Sequence, residues 1–242
     1  MINIGTIGIT DWKRRRSLGC LAVLLLAGAS TAPPRTVLHP RLSRTWNIIG
    51  YDLQFRPISG DAPFTPAGKA IFERRLAAYD KGTLEQEPPN QCRPHGVPRI
   101  MMSPYPFEIV DTGDRVTIFH EVAHNVRSIL MNQPHPANVP LTYLGNSVGH
   151  WEGETLVVDT IRLRPETWID EAGKPHSDKL HVVERMTPSV DGKTLDVRIR
   201  IEDPVYYTRP WETQRSFKTD ATLKIAEYVC EDGLGAAADF FK

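Results

Sequence analysis

Between residues 194 and 202 apolar and polar side chains alternate without a break. Leu195, Val197, Ile199 and Ile201 fall on one face, and Asp196, Arg198, Arg200 and Glu202 on the other. A period of two with one apolar face predicts a strand with one side in the core and one in water, as in an antiparallel sheet. Residues 145–160 predict a hairpin. An arm ending at Trp151 meets the turn Glu152-Gly153, where glycine supplies the positive φ of a type I′ turn, and a β-branched arm follows over 155–160. The same rhythm of short strands and turn chemistry covers 107–110, 115–121, 125–131, the two hairpin arms, 180–186, 194–202, 213–218 and 222–230. Nine strands left open would expose two costly edges. The pattern therefore predicts a mainly β fold, an antiparallel meander closing into a lipocalin-like (calycin-type) barrel or half-barrel, with a β-sandwich as the alternative.

Upstream the pattern changes. Residues 45–55 offer one further strand. Thr65 can cap and Pro66 can open a helix over 67–80, which Lys81-Gly82 ends. Residues 84–106 contain six prolines, which forbids regular structure there. The chain thus divides into a leader, 1–32; an arm with one helix and a Pro-rich segment, 33–106; an antiparallel β-barrel domain, 107–231; and a tail, 232–242.

The leader reads charged, then apolar, then small: Lys13-Arg14-Arg15-Arg16, an apolar run over 18–27, and small residues up to Ala32. That layout predicts a secretory signal peptide cleaved after Ala29 or Ala32. The mature protein is then exported, periplasmic or extracellular, with no stable membrane span, because the apolar run is too short to cross a bilayer. The rest is ordinary globular composition for a chain of 242 residues, 40% hydrophobic and 24% charged. The net charge is zero. The leader carries Lys13, Arg14, Arg15 and Arg16 against Asp11, so its removal leaves −3. No basic tract remains to bind nucleic acid. Cys92 and Cys230 survive as an even pair, which an oxidising compartment predicts to be a disulfide.

Candidate chemistry comes from charges inside apolar strands. Asp159 interrupts Leu156-Val157-Val158, and Glu184-Arg185 interrupts 180–186. An inward charge needs a partner, and Glu184 or Asp159 with Arg127 or Arg185 is the obvious pairing; the alternative is an outward ion pair across neighbouring strands, worth little. A polar floor in an apolar cavity orients a ligand or moves a proton. The candidate catalytic carboxylates are Glu121, Asp159 and Glu184, and the candidate substrate-binding residues are Arg127, Arg185 and Trp151. No cofactor is implied by that set. The alternative is zinc: His120-Glu121-Val122-Ala123-His124 matches HExxH, which on a helix places His120 and His124 on one face around the metal, with Glu121 activating a water. The β-branched neighbours Val116, Thr117, Ile118, Val122 and Val126 favour a hairpin instead, which would not give that geometry.

Several segments together resemble a family of uncharacterised exported bacterial proteins. They are 92–99 (Cys-Arg-Pro-His-Gly-Val-Pro-Arg), 151–160 (Trp-Glu-Gly-Glu-Thr-Leu-Val-Val-Asp-Thr), Glu184-Arg185, Asp203-Pro204 and 227–231 (Glu-Tyr-Val-Cys-Glu). The resemblance covers roughly residues 63–231, with the pieces in one order. It implies export and the Cys92–Cys230 pairing, and it favours Glu121 with Arg127 over a full HExxH. Asn132-Gln133-Pro134 stands where the family's pattern has Asp-Gly-Arg.

Three function classes follow. The first is an exported barrel that binds a small apolar or amphipathic molecule, with the option of cofactor-independent lyase or isomerase chemistry on it. The second is a metal-dependent hydrolase. The third is a cell-envelope interaction module.

Overall fold

A computed structural model describes residues 39–230 apart from 82, 84–88, 90 and 91. The predicted signal peptide and the tail 232–242 lie outside the described residues. Nine strands are β1 (Thr45–Ile48), β2 (Phe107–Asp111), β3 (Arg115–His120), β4 (Val126–Met131), β5 (Asn146–Glu152), β6 (Thr155–Ile161), β7 (His181–Pro188), β8 (Thr194–Glu202) and β9 (Trp211–Lys218). They are hydrogen-bonded in sequence order, and β9 pairs with β1 to close a barrel. Closure satisfies the two edges that an open sheet would leave.

The β8 alternation is realised in full: Leu195, Val197, Ile199 and Ile201 are buried, and their polar neighbours face out. Trp46, Ile109, Ile118, Ile129, Leu156, Val158 and Phe217 join these four in one buried apolar cluster. The irregular arm contributes Val97, Ile100, Met101 and Met102 to the same core.

Three details differ from the pattern. The hairpin between β5 and β6 pairs Glu152 with Thr155, so its turn is Gly153-Glu154, one residue later than predicted. Positive φ occurs at Gly153 alone of the two, the type II′ arrangement rather than I′. Second, the meander is not wholly antiparallel: β4 and β5 run parallel. Parity requires this, because an odd number of strands alternating around a closed ring must contain one parallel pair. The return path is residues 132–145, the dozen or more that a parallel connection needs. A Cβ on Gly149 would fall 2.8 Å from Ile129 Cγ2, so glycine is what lets β5 approach β4.

Third, residues 222–230 are not a strand, and the ninth strand is β1 from the arm. The barrel therefore ends at Lys218 and begins upstream of residue 107. The final segment is held by side chains in place of a ladder. Ala226 N–H donates to Glu121 Oε2 (2.7 Å), and Tyr228 N–H donates to His124 Nε2 (3.0 Å). It ends at Cys230, which forms a disulfide with Cys92 (Cα–Cα 5.7 Å).

The helix α1 (Pro66–Asp80) starts as its sequence predicts, with Thr65 Oγ1 accepting from Gly68 N–H at 3.2 Å. Among the described residues no helix is long and apolar enough to cross a membrane.

Candidate functional site

The inner faces of β4 to β7 carry a polar floor. Side chains alternate across a strand, so Arg127 points inward with Ile129 and Met131, Thr160 with Leu156 and Val158, and Glu184 with Val182 and Met186. Ser147 is registered opposite Thr160. Arg127 lies across this wall. Its Nε donates to Ser147 Oγ (3.1 Å), and its Nη2 donates to Thr160 Oγ1 (2.7 Å) and to Glu184 Oε2. Ser147 and Thr160 hydroxyls also bond each other at 2.9 Å. The guanidinium and carboxylate are 1% and 0% exposed. A pair so deep is tolerable only with this degree of hydrogen bonding.

The floor is not fully satisfied. Arg127 Nη1, Glu184 Oε1, His120 Nε2 and His95 Nδ1 are buried with no hydrogen-bond partner. Such a group costs about 1–3 kcal/mol each when nothing meets it. His120 ends β3 on the inward face, two residues past Ile118, which is registered opposite Arg127. Burial, with Arg127 and His95 nearby, pushes its imidazole down to about 3. Burial alone pushes His95 down to about 4. Both rings are therefore neutral at pH 7. They contribute hydrogen-bonding atoms to the interior and no charge.

Of the residues that sequence reasoning selected, the floor unites Arg127 and Glu184. The others sit elsewhere. Asp159 faces outward, one residue from inward Thr160. There His181 Nε2 meets its Oδ2 at 2.9 Å and His135 Nε2 its Oδ1 at 3.0 Å. Burial works against its charge, but the bonds from His181 and His135 outweigh it and hold the carboxyl below the usual carboxylate range. The hydrogen bond to Asp159 raises His181 above the usual imidazole value. Arg185, next to Glu184, also faces out and donates to Glu152 Oε2 at 2.6 Å. Trp151 stacks on His39 at 3.5 Å between ring centroids. Glu121 is buried as the acceptor for the final segment.

The zinc geometry is not formed. His120 ends a strand, and 122–124 form one 3-10 turn with positive φ at Ala123 and His124. His120 enters the barrel while His124 Nε2 accepts from Tyr228, so the two imidazoles do not share a helical face. Among the described residues no group of three or more His, Cys, Asp or Glu side chains is placed to hold a metal ion. These residues do not fit the zinc site their spacing suggests.

Sequence reasoning missed Ser147, Thr160 and His95. The first two were within reach of strand parity, since Thr160 shares a face with Leu156 and Val158. His95 lies in irregular backbone, where no periodicity signals burial. No family model, no curated protein and no solved structure matches this chain.

Proposed function

We propose that the chain is an exported barrel that binds a small molecule at the polar floor around Arg127. The observation that carries this is the set of four buried, unpartnered polar atoms from three strands and the arm. A structure that keeps such atoms unmet has a reason to keep them, and a ligand is one. The set offers a donor at Arg127, an acceptor at Glu184 and two neutral imidazoles. An uncharged head bearing both a donor and an acceptor, such as a hydroxyl or carboxamide, suits it. Cys92–Cys230 supports export, since such bonds persist in oxidising compartments.

Binding is favoured over proton abstraction on magnitudes. A general base works best with a pKa near the operating pH. His120, at about 3, is far too weak a base, and Glu184 is engaged by Arg127.

The test is a crystal structure of the purified protein, paired with a ligand-observed NMR screen of small hydroxyl and carboxamide compounds. The reading expects saturable hits and non-water density reaching Arg127 Nη1 and Glu184 Oε1. Ordered water alone at these atoms, with no hit in the screen, would sink it.

A further inference from the structure

The barrel wall is only partly zipped where β4 and β5 run parallel. The register starts at Ile129↔Ser147 and ends at Met131↔Gly149, and no β5 residue stands opposite Val126, Arg127 or Ser128. A cleft of about 550 Å³ opens at that seam, between β4 and residues 142–147. The seam follows from topology. The parallel pair needs a return connection, and that connection brings Tyr143 and Leu144 beside the outer face of β4.

The cleft has one apolar wall and one cationic end. Val126 and Leu130 face it from β4, and Tyr143 and Leu144 from the return segment. Val126 is 55% exposed, and its register partner Phe119 is 38% exposed and continues the apolar surface. Apolar side chains so adjacent and so open mark a place where something apolar docks. Arg115, registered opposite Leu130, closes the end. Two arginines line the cleft and no carboxylate does. Arg127 is already paired with Glu184. Among the described residues no carboxylate pairs with Arg115, and the side chain of neighbouring Asp114 accepts from the Thr112 hydroxyl. A further guanidinium, Arg164, stands 5.2 Å over the Tyr143 ring. The local field therefore favours one negative charge beside an apolar body.

We infer that the β4–β5 seam binds an amphipathic monocarboxylate, with its chain against Val126, Leu130, Tyr143 and Leu144 and its carboxylate on Arg115. This extends the small-molecule-binding reading, on which it rests only because Arg127 and Ser147 line both the cleft and the buried floor. A dianion such as a phosphate monoester would bring a second charge beyond the one arginine lining the cleft that is unpaired among the described residues, Arg115. A neutral amphiphile would leave Arg115 unused.

The experiment titrates octanoate and octanol into the full, disulfide-intact protein by calorimetry, with amide shifts read by NMR. Octanoate is expected to bind saturably and more tightly than octanol, moving the amides of Val126, Ser128, Tyr143 and Asn146. Arg115→Gln should weaken octanoate about fivefold at low salt, as expected for one exposed ion pair, and leave octanol unchanged. Leu130→Asp should weaken both more than tenfold, and Val126→Glu repeats that test at a fully tolerant surface position. Absence of saturable octanoate binding, indifference to Arg115→Gln, or shifts confined to another face would overturn the inference. Octanoate binding that survives Arg127→Met/Glu184→Leu supports the cleft even where the floor takes no ligand, so the two readings fail separately.

Discussion

Strand β7 takes part in an ion pair on each side of the barrel wall. Inside, Glu184 of β7 meets Arg127 next to Thr160 of β6. Outside, one residue along each strand, Asp159 meets His181 and His135, and Arg185 meets Glu152. The inner pair is dehydrated; the Asp159 and His181 side chains are 39% and 38% exposed. The chemistry is alike and the environments differ, so the consequences differ. Inside, each charge depends wholly on its partner. Outside, water substitutes for a lost partner at little cost.

The largest expected effect tests that dependence. Glu184→Gln strands the Arg127 guanidinium and should cost about 3–5 kcal/mol in urea denaturation. Arg127→Met/Glu184→Leu removes both charges at once and should leave stability within about 1 kcal/mol of wild type or above it. If the single and double variants lose the same stability, the inner pair is not the coupled unit described here.

Next in size is the covalent tie on the outer side. Cys92→Ser/Cys230→Ser should lower stability by about 2–4 kcal/mol, measured in the same titration. It should also loosen the final segment, seen as faster hydrogen exchange at the Ala226 and Tyr228 amides.

Acid separates the two sides by sign. The folded pKa values of His120 and His95 lie below the usual 6.5, at about 3 and about 4. The unfolded chain takes up protons that the native barrel refuses, so stability should fall as pH drops from 6.5 toward 4. Each such imidazole adds up to about 1.4 kcal/mol per pH unit to that slope. The outer cluster behaves oppositely for its histidine. His181 is raised, so its contribution is complete below 6.5 and is lost as pH climbs through its folded pKa. Asp159 is lowered, so its share is present above 3.8 and is lost as pH falls through its folded pKa. The outer pair therefore helps most between about pH 4 and 6.5. Asp159→Asn should cost no more than about 1 kcal/mol, and only in that window. A pH-independent loss would show that Asp159 acts by packing.

The smallest effect is at Arg185. Arg185→Ala, on the exposed bond to Glu152, should leave the melting temperature unchanged within error. A clear drop would erase the inner–outer distinction on β7.

Much of this was legible in the chain. Alternation in β8 and the run of turn residues gave the strands and the barrel, because period two and turn chemistry are local properties. The barrel's ninth strand was not local. Thr45–Ile48 and 222–230 look equally strand-like, and the choice fell to whether Glu121 and His124 capture the last segment. The inner pair was half legible. Two-sided apolar strands left room for an inward charge beside the outward ion-pair reading, but one residue of register decides between Glu184 and Asp159. The HExxH spacing was outweighed by its β-branched neighbours, since spacing becomes metal geometry only on a helix, and strand β3 followed by positive φ at Ala123 and His124 leaves none there.

The measurement closest to the central claim is calorimetric titration of the best screen hit into wild type and into Arg127→Met/Glu184→Leu. Both proteins should unfold at similar urea concentrations, and only wild type should bind saturably. Equal binding by the two would contradict the assignment of the ligand site to the floor beneath Arg127.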